Sequence, residues 1–164
     1  MTVRRLAPDD SPVGVEAIRL LKAGGGYPVP TTACLFEFLS RPETVLIVAF
    51  DGGGPVGYIV AYLLDRIDRQ QQMMFFYEIG VAESHRRRGI GKRMIGELKA
   101  ICRKADVMKM WVPTGRSNEA ATRLYASTGA VPLPSEDEVT YAYPRESFMN
   151  PEAKVTRERP KESR

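Results

Sequence analysis

The chain has 164 residues, 43% of them hydrophobic, which suits one domain with a sizeable core. A net charge of +4, without interleaved basic and aromatic residues, gives no footprint for nucleic acid. The apolar runs are too short to span a bilayer, the start MTVRRLAPDD lacks a signal-peptide core, and His85 is the single histidine. A cytoplasmic protein is expected, with no membrane contact and little from which to build a zinc site or a Ser-His-Asp triad.

Residues 2–6 read as a short edge strand. Ser11 before Pro12 reads as an N-cap with Pro at N1, starting a helix that runs to about Ala23 and stops at Gly24, Gly25 and Gly26. Pro28 and Pro30 stiffen the loop that follows and leave Tyr27 as a candidate wall of a substrate site. Thr31 or Thr32 caps a second helix ending near Ser40. Cys34 and Cys102 have no metal-binding spacing and read as reduced core thiols.

Residues 44–50 and 56–64 are apolar strands joined by DGGGP, a hairpin signal. A polar connection over residues 65–72 leads to a third antiparallel strand over 75–81, whose Val, Ile and aromatic content predicts cover on both faces. Glu78 lies in the middle of it. A buried carboxylate must be paired, protonated or turned toward a wet cleft. Gly80, on the same face, removes a side chain and suggests a bulge or a close approach of ligand to backbone.

A helix starting near Gly89 carries an apolar stripe of Ile90, Met94, Ile95, Leu98 and Ile101. Its first turn has no acidic residue to answer the positive end of the dipole, and Arg86, Arg87 and Arg88 add charge of the same sign. An arginine run alone reads as a solvated loop; between a hydrophobic strand and an amphipathic helix it reads as a phosphate site. A dinucleotide fingerprint fails because Met94 stands at the third glycine. A P-loop fails because Arg86 and Arg93 stand at its glycine and its hydroxyl residue.

Residues 107–112 form a further strand, parallel to the Glu78 strand because a helical crossover precedes it. Ser117 or Asn118 then caps a helix ending before Gly129, with Asn118, Ala121 and Tyr125 on one stripe. Residues 129–133 and 139–143 are expected to complete the sheet as two last strands. From Pro144 the chain is polar and without periodicity, so one domain over residues 1–144 and a disordered tail over 145–164 are expected.

The pattern R-x-x-G-x-G from Arg86 to Gly91, placed directly after a strand, resembles the GNAT superfamily of acyl-CoA-dependent N-acetyltransferases. So does N-x-x-A-x-x-x-Y-x-x-x-G from Asn118 to Gly129, and the resemblance spans roughly residues 45–143. It implies an α/β (α+β) fold with a mixed, mostly antiparallel sheet of six to seven strands, a splayed parallel pair and about four helices. Acetyl-CoA would be the cosubstrate, without a metal. Its pyrophosphate would lie on Arg86, Arg87, Arg88, Gly89, Ile90, Gly91 and Lys92, and its pantetheine arm along Ile79, Gly80 and Val81. Asn118 and Ala121 would lie near coenzyme A, with Tyr125 facing the sulfur as acid and Glu78 acting as base.

Within the superfamily, YEIGVAESHRRRGIG, ATRLYASTGA and the acidic DEV look most like the aminoglycoside 3-N-acetyltransferases. Those enzymes have Asp where this chain has Glu78 and a more acidic segment where it has PTGRSNEAA. A polycationic acceptor would need carboxylates at the cleft mouth, for which Asp65, Asp68, Glu136, Asp137 and Glu138 are the candidates beside Tyr27. The resemblance implies direct attack of the 3-amino group on the thioester in a ternary complex. Another small amine or a protein N-terminus is the alternative acceptor, and a non-catalytic coenzyme A sensor is the alternative of another class. Relatives of this kind often form homodimers.

Overall fold

The computed structural model describes residues 1–22, 28–115 and 117–132. Its framework follows from strand alternation. In β2 (Thr44–Asp51) the side chains of Val45, Ile47 and Ala49 face one way and those of Leu46 and Val48 the other. All five are buried, so β2 lies between two covered faces. It pairs antiparallel with β1 (Thr2–Arg5) on one side and β3 (Gly54–Leu64) on the other. β4 (Met73–Val81) pairs antiparallel with β3, and the short β5 (Lys109–Trp111) pairs parallel with β4. The sheet order is β1-β2-β3-β4-β5.

Helix α1 (Ser11–Leu21) and helix α2 (Thr32–Ser40) cover one face, closing a core of Leu6, Ala17, Leu35, Leu39, Leu46, Val48 and Tyr58. Helix α3 (Ile90–Lys104) covers the other with the expected stripe of Ile90, Met94, Ile95 and Leu98 against Val45, Ile47, Ile59, Met74 and Phe76. Helix α4 (Glu119–Ala126) joins this second core through Leu124 and Tyr125. Residues Met1–Val131 form one compact unit; the expected boundary at 144 and the tail lie outside the described residues. No helix among the described residues is long and apolar enough to cross a membrane.

Local chemistry sets the helix ends. Thr31 caps α2, its hydroxyl accepting from the Cys34 N–H at 3.1 Å. Asn118 caps α4 in the same way, accepting from the Ala121 N–H at 3.1 Å. At α1 the expected cap is displaced: Asp10 is the N-cap and Ser11 already helical, because a 3-10 turn at Pro8–Asp10 precedes the helix. The Asp10 carboxylate instead takes both guanidinium nitrogens of Arg4, at 2.6 and 2.8 Å, and the Ala7 N–H at 2.9 Å.

The expected six to seven strands are corrected to five among the described residues. Residues 129–132 are not a strand. Their first N–H groups fold back to close α4, Gly129 onto the Ala126 carbonyl and Ala130 onto Tyr125, with Gly129 in the left-handed region at φ +85°. The Thr128 carbonyl is taken by Lys99. The strand expected over 139–143 lies outside the described residues. Cys34 is exposed on α2 rather than a core thiol, and Cys102 is half-buried.

Candidate active site

Two irregularities coincide on β4. β5 pairs with it only at Met73, Met74 and Phe75, opposite Lys109, Met110 and Trp111, so the two strands part at Phe76. There the antiparallel register with β3 also slips: Ala61 opposes Phe76 but Val60 opposes Glu78, leaving Tyr77 as an extra residue. The bulge is therefore at Tyr77 rather than at Gly80. Since side chains alternate in a strand, one extra residue turns two neighbours to the same face. Met74, Phe76, Ile79 and Val81 all pack toward α3, whereas Phe75, Tyr77, Glu78 and Gly80 face the α1/α2 side. That side of β4 is open instead of covered, with Tyr77 55% exposed.

The carboxylate of Glu78 has partners there. The Tyr58 hydroxyl donates to its Oε1 at 2.5 Å, and the Lys22 ammonium lies 2.8 Å from its Oε2. Lys22 Nζ also lies 5.8 Å from the centre of the Tyr58 ring, so carboxylate and π-face hold one cation together. Of the three options for this carboxylate, pairing holds, in a half-exposed setting. Gly80 makes room for the arrangement, since a Cβ there would stand 2.5 Å from Tyr58 Cε1. The space it leaves is filled by the Tyr58 ring and not left for a ligand, which corrects one reading of that glycine. Lys22 and Tyr58 were not among the expected site residues. Beside them Phe75 stacks on Trp111 and meets Tyr77 edge-on, and Tyr77 meets Tyr62.

Beyond β4 a short turn, Glu83–His85, leads into the arginine run. Arg87 and Gly89 both have positive φ, +65° and +78°, which bends the loop into α3 with Gly89 as its N-cap. A Cβ at Gly89 would meet nothing within 4 Å, so the main chain is open there. The first N–H groups of α3 have no partner within the helix, and its first turn holds no acid. Arg86 binds the Val81 carbonyl at 3.3 Å and lies 4.0 Å from Glu83, while Arg88 lies 3.7 Å from Asp51. Among the described residues Arg87 and Lys92 have no such carboxylate partner. Gly91 serves packing instead. A Cβ on it would stand 2.9 Å from Leu124, so the glycine lets α4 close on α3. Ile90 is buried in the core.

Tyr125 projects from α4 onto Phe76, ring centres 5.8 Å apart and edge-on, next to the point where β4 and β5 separate. Burial pushes its phenol above the ordinary tyrosine value. Glu78 and Tyr125 thus flank the parting strands from opposite faces of the sheet. Asn118 and Ala121 open the same helix, joined by the cap bond. Asp65 follows β3, and because Leu64 pairs with Met73, it leaves the sheet five residues along β4 from Glu78, roughly 17 Å at the usual strand rise. It accepts from Gln72 at 2.7 Å. Tyr27, Glu136, Asp137 and Glu138 lie outside the described residues. Among the described residues no group of three His, Cys, Asp or Glu side chains could hold a metal ion.

Known proteins share this fold. An aminoglycoside acetyltransferase from an uncultured soil metagenomic sample, solved in complex with sisomicin, superposes with a TM-score of 0.77 at 23% identity, covering 87% of this chain and 94% of that one. Aminoglycoside N-acetyltransferase AAC(6')-Iy, solved in complex with CoA, superposes at 0.71 and 17% identity, covering 88% and 94%. At such identities the likeness is one of fold. In sequence, 85 residues are 36% identical to L-2,4-diaminobutyric acid acetyltransferase of Shouchella clausii (strain KSM-K16). That match spans 51% of this chain and 45% of the relative, less than half of its length. The sequence pattern of the Acetyltransferase (GNAT) family matches residues 14–130, which includes β2 to β5, the arginine turn, α3 and α4. The chain belongs to the GNAT acetyltransferase family.

Proposed function

We propose that the chain transfers the acetyl group of acetyl-CoA to a primary amine by direct attack in a ternary complex. The observation that carries this reading is the coincidence on β4 of the parting from β5 and the bulge at Tyr77, which sets a carboxylate beside a slot between parallel strands. The residues suit coenzyme A. Arg87, Lys92 and the first N–H groups of α3, bent open at Gly89, would take the pyrophosphate, with Arg86 and Arg88 adding positive field. The edge of β4 from Ile79 to Val81, left by β5, offers its backbone to the amides of the pantetheine arm. Asn118 and Ala121, at the start of α4, would lie along the same molecule.

Acetyl-CoA supplies an activated acyl group as its thioester. The acceptor amine must reach it unprotonated, and Glu78 takes that proton, directly or through a water. An amine acidified by neighbouring positive charge gives up that proton more readily and is the easier substrate. The N–C bond forms as the C–S bond breaks. A backbone N–H of the β4 edge stabilises the oxyanion, and Tyr125 protonates the leaving thiolate. A tyrosine phenol is protonated at neutral pH, and burial favours that form of Tyr125 further.

The acceptor we favour is an aminoglycoside at its 3-amino group. Structural neighbours named as aminoglycoside acetyltransferases support the acceptor class, as does an open aromatic face around Tyr77 next to the carboxylate, and the choice of the 3-amino group rests on the sequence resemblance alone. Asp65, Glu136, Asp137, Glu138 and Tyr27 would complete the acceptor rim. A small diamino acid is the second reading, favoured by the 36% identity to the diaminobutyric acid enzyme. Acetyl-CoA turnover, followed as free thiol with product mass, decides between them on a panel of aminoglycosides and diamino acids. Thiol release with one acetyl group added to a 3-amine supports the first choice; turnover confined to diamino acids supports the second. Tyr125→Phe should lower kcat about 10- to 100-fold with the affinity for acetyl-CoA intact.

A further inference from the structure

We infer that Glu78 Oε2 and the face of Tyr58 form a binding subsite for the acceptor's primary ammonium group, and that Lys22 occupies it in the free protein. The inference rests on the reading of Glu78 as the base. A cation held by one carboxylate oxygen and one aromatic face is how an alkylammonium is recognised. Here Lys22 Nζ lies 2.8 Å from Oε2 and 5.8 Å from the Tyr58 ring centre. The site is built rather than incidental. Tyr58 is 3% exposed, its hydroxyl is fixed on Oε1, and its ring fits only because residue 80 is glycine. Lys22 itself is the C-cap of α1, outside the sheet, and reaches Glu78 through a four-carbon side chain.

Both carboxylate oxygens are engaged before any acceptor arrives. Oε2 keeps a second lone pair, but an acceptor ammonium on it beside Lys22 would set two like charges against one oxygen and one ring face, so Lys22 competes with the acceptor for the base and selects for amines that compensate the exchange elsewhere. Acceptors with a second cationic or apolar group to place on the aromatic face would gain most.

Two measurements on the full chain test this. In the first, acceptor KM and kcat are read by thiol release with sisomicin and with L-2,4-diaminobutyric acid for the wild type, Lys22→Met and Lys22→Arg. Lys22→Met should lower acceptor KM about two- to five-fold, the range of a half-exposed ion pair, and Lys22→Arg should not. An unchanged or raised KM, or a fall confined to kcat, overturns the inference and makes Lys22 a residue that positions Glu78. In the second, 1,3-diaminopropane is titrated calorimetrically without acetyl-CoA. Binding should tighten by the same factor in Lys22→Met and weaken in Glu78→Gln; binding that ignores both, or is undetectable in all three proteins, overturns the subsite. Tightening without turnover on any amine would retain the subsite and remove the proposed acetyl transfer. Turnover with a KM insensitive to Lys22→Met would do the reverse.

Discussion

The two ends of the β4 slot are built in opposite ways. The arginine turn is contiguous: Arg86 to Lys92 supply charge, bend and helix N-terminus within seven successive residues. The Glu78 corner is convergent, assembled from the end of α1, the middle of β3 and the bulged part of β4. A contiguous site depends on backbone conformation and tolerates changes around it. A convergent one depends on packing among three elements and fails when any of them shifts. Substitutions at the two ends should therefore differ in kind as well as in size.

The largest effect is expected at the corner. Glu78→Gln keeps the shape and the Tyr58 contact but removes the base, and kcat should fall about 10²- to 10⁴-fold with acetyl-CoA affinity unchanged, measured by steady-state kinetics and calorimetry. Equal losses in both quantities would erase the distinction between the ends. Gly80→Ala comes next. Its Cβ would be driven against the Tyr58 ring, so the protein should lose about 1–3 kcal/mol of stability by denaturant titration. The Glu78 hydrogen bond should loosen with it and raise acceptor KM.

At the contiguous end, Gly89→Ala meets no atom within 4 Å, and its cost is purely the positive φ, about 1–2 kcal/mol. Acetyl-CoA affinity should fall while acceptor KM holds, the mirror image of Gly80→Ala. The smallest effect belongs to a site remote from both. Asp10→Asn breaks the bidentate Arg4 pair on the protein surface and should cost about 0.5–1 kcal/mol at pH 7 with kinetics untouched. The Arg4 hydrogen bonds hold the Asp10 carboxyl below its ordinary value, so its contribution is complete above the unfolded pKa and disappears as the pH falls through the folded one. Wild type and variant should converge in acid titrations.

The same contrast explains what the sequence revealed. The arginine turn, the Thr31 and Asn118 caps and the α3 stripe are set by neighbours within a few residues, and each appears where local rules place it. Glu78 could be singled out because a carboxylate in an apolar strand demands a reason. Its partners could not: no local pattern joins Lys22 at the end of α1, or Tyr58 on β3, to a residue on β4. The bulge left no composition signal at Tyr77, and Gly80, where one was expected, makes room for the Tyr58 ring instead. Residues 129–133 read as a strand, but the end of α4 claims the N–H groups of Gly129 and Ala130.

The most direct test is a crystal structure of the chain with acetyl-CoA. The expected result is the pyrophosphate on the N–H groups opening α3 at Gly89, the pantetheine arm along the β4 edge where β5 has left it, and the thioester between Glu78 and Tyr125. Coenzyme A bound away from the parted strands, or a thioester remote from Glu78, would contradict the central claim that one bulged strand joins both ends of the site.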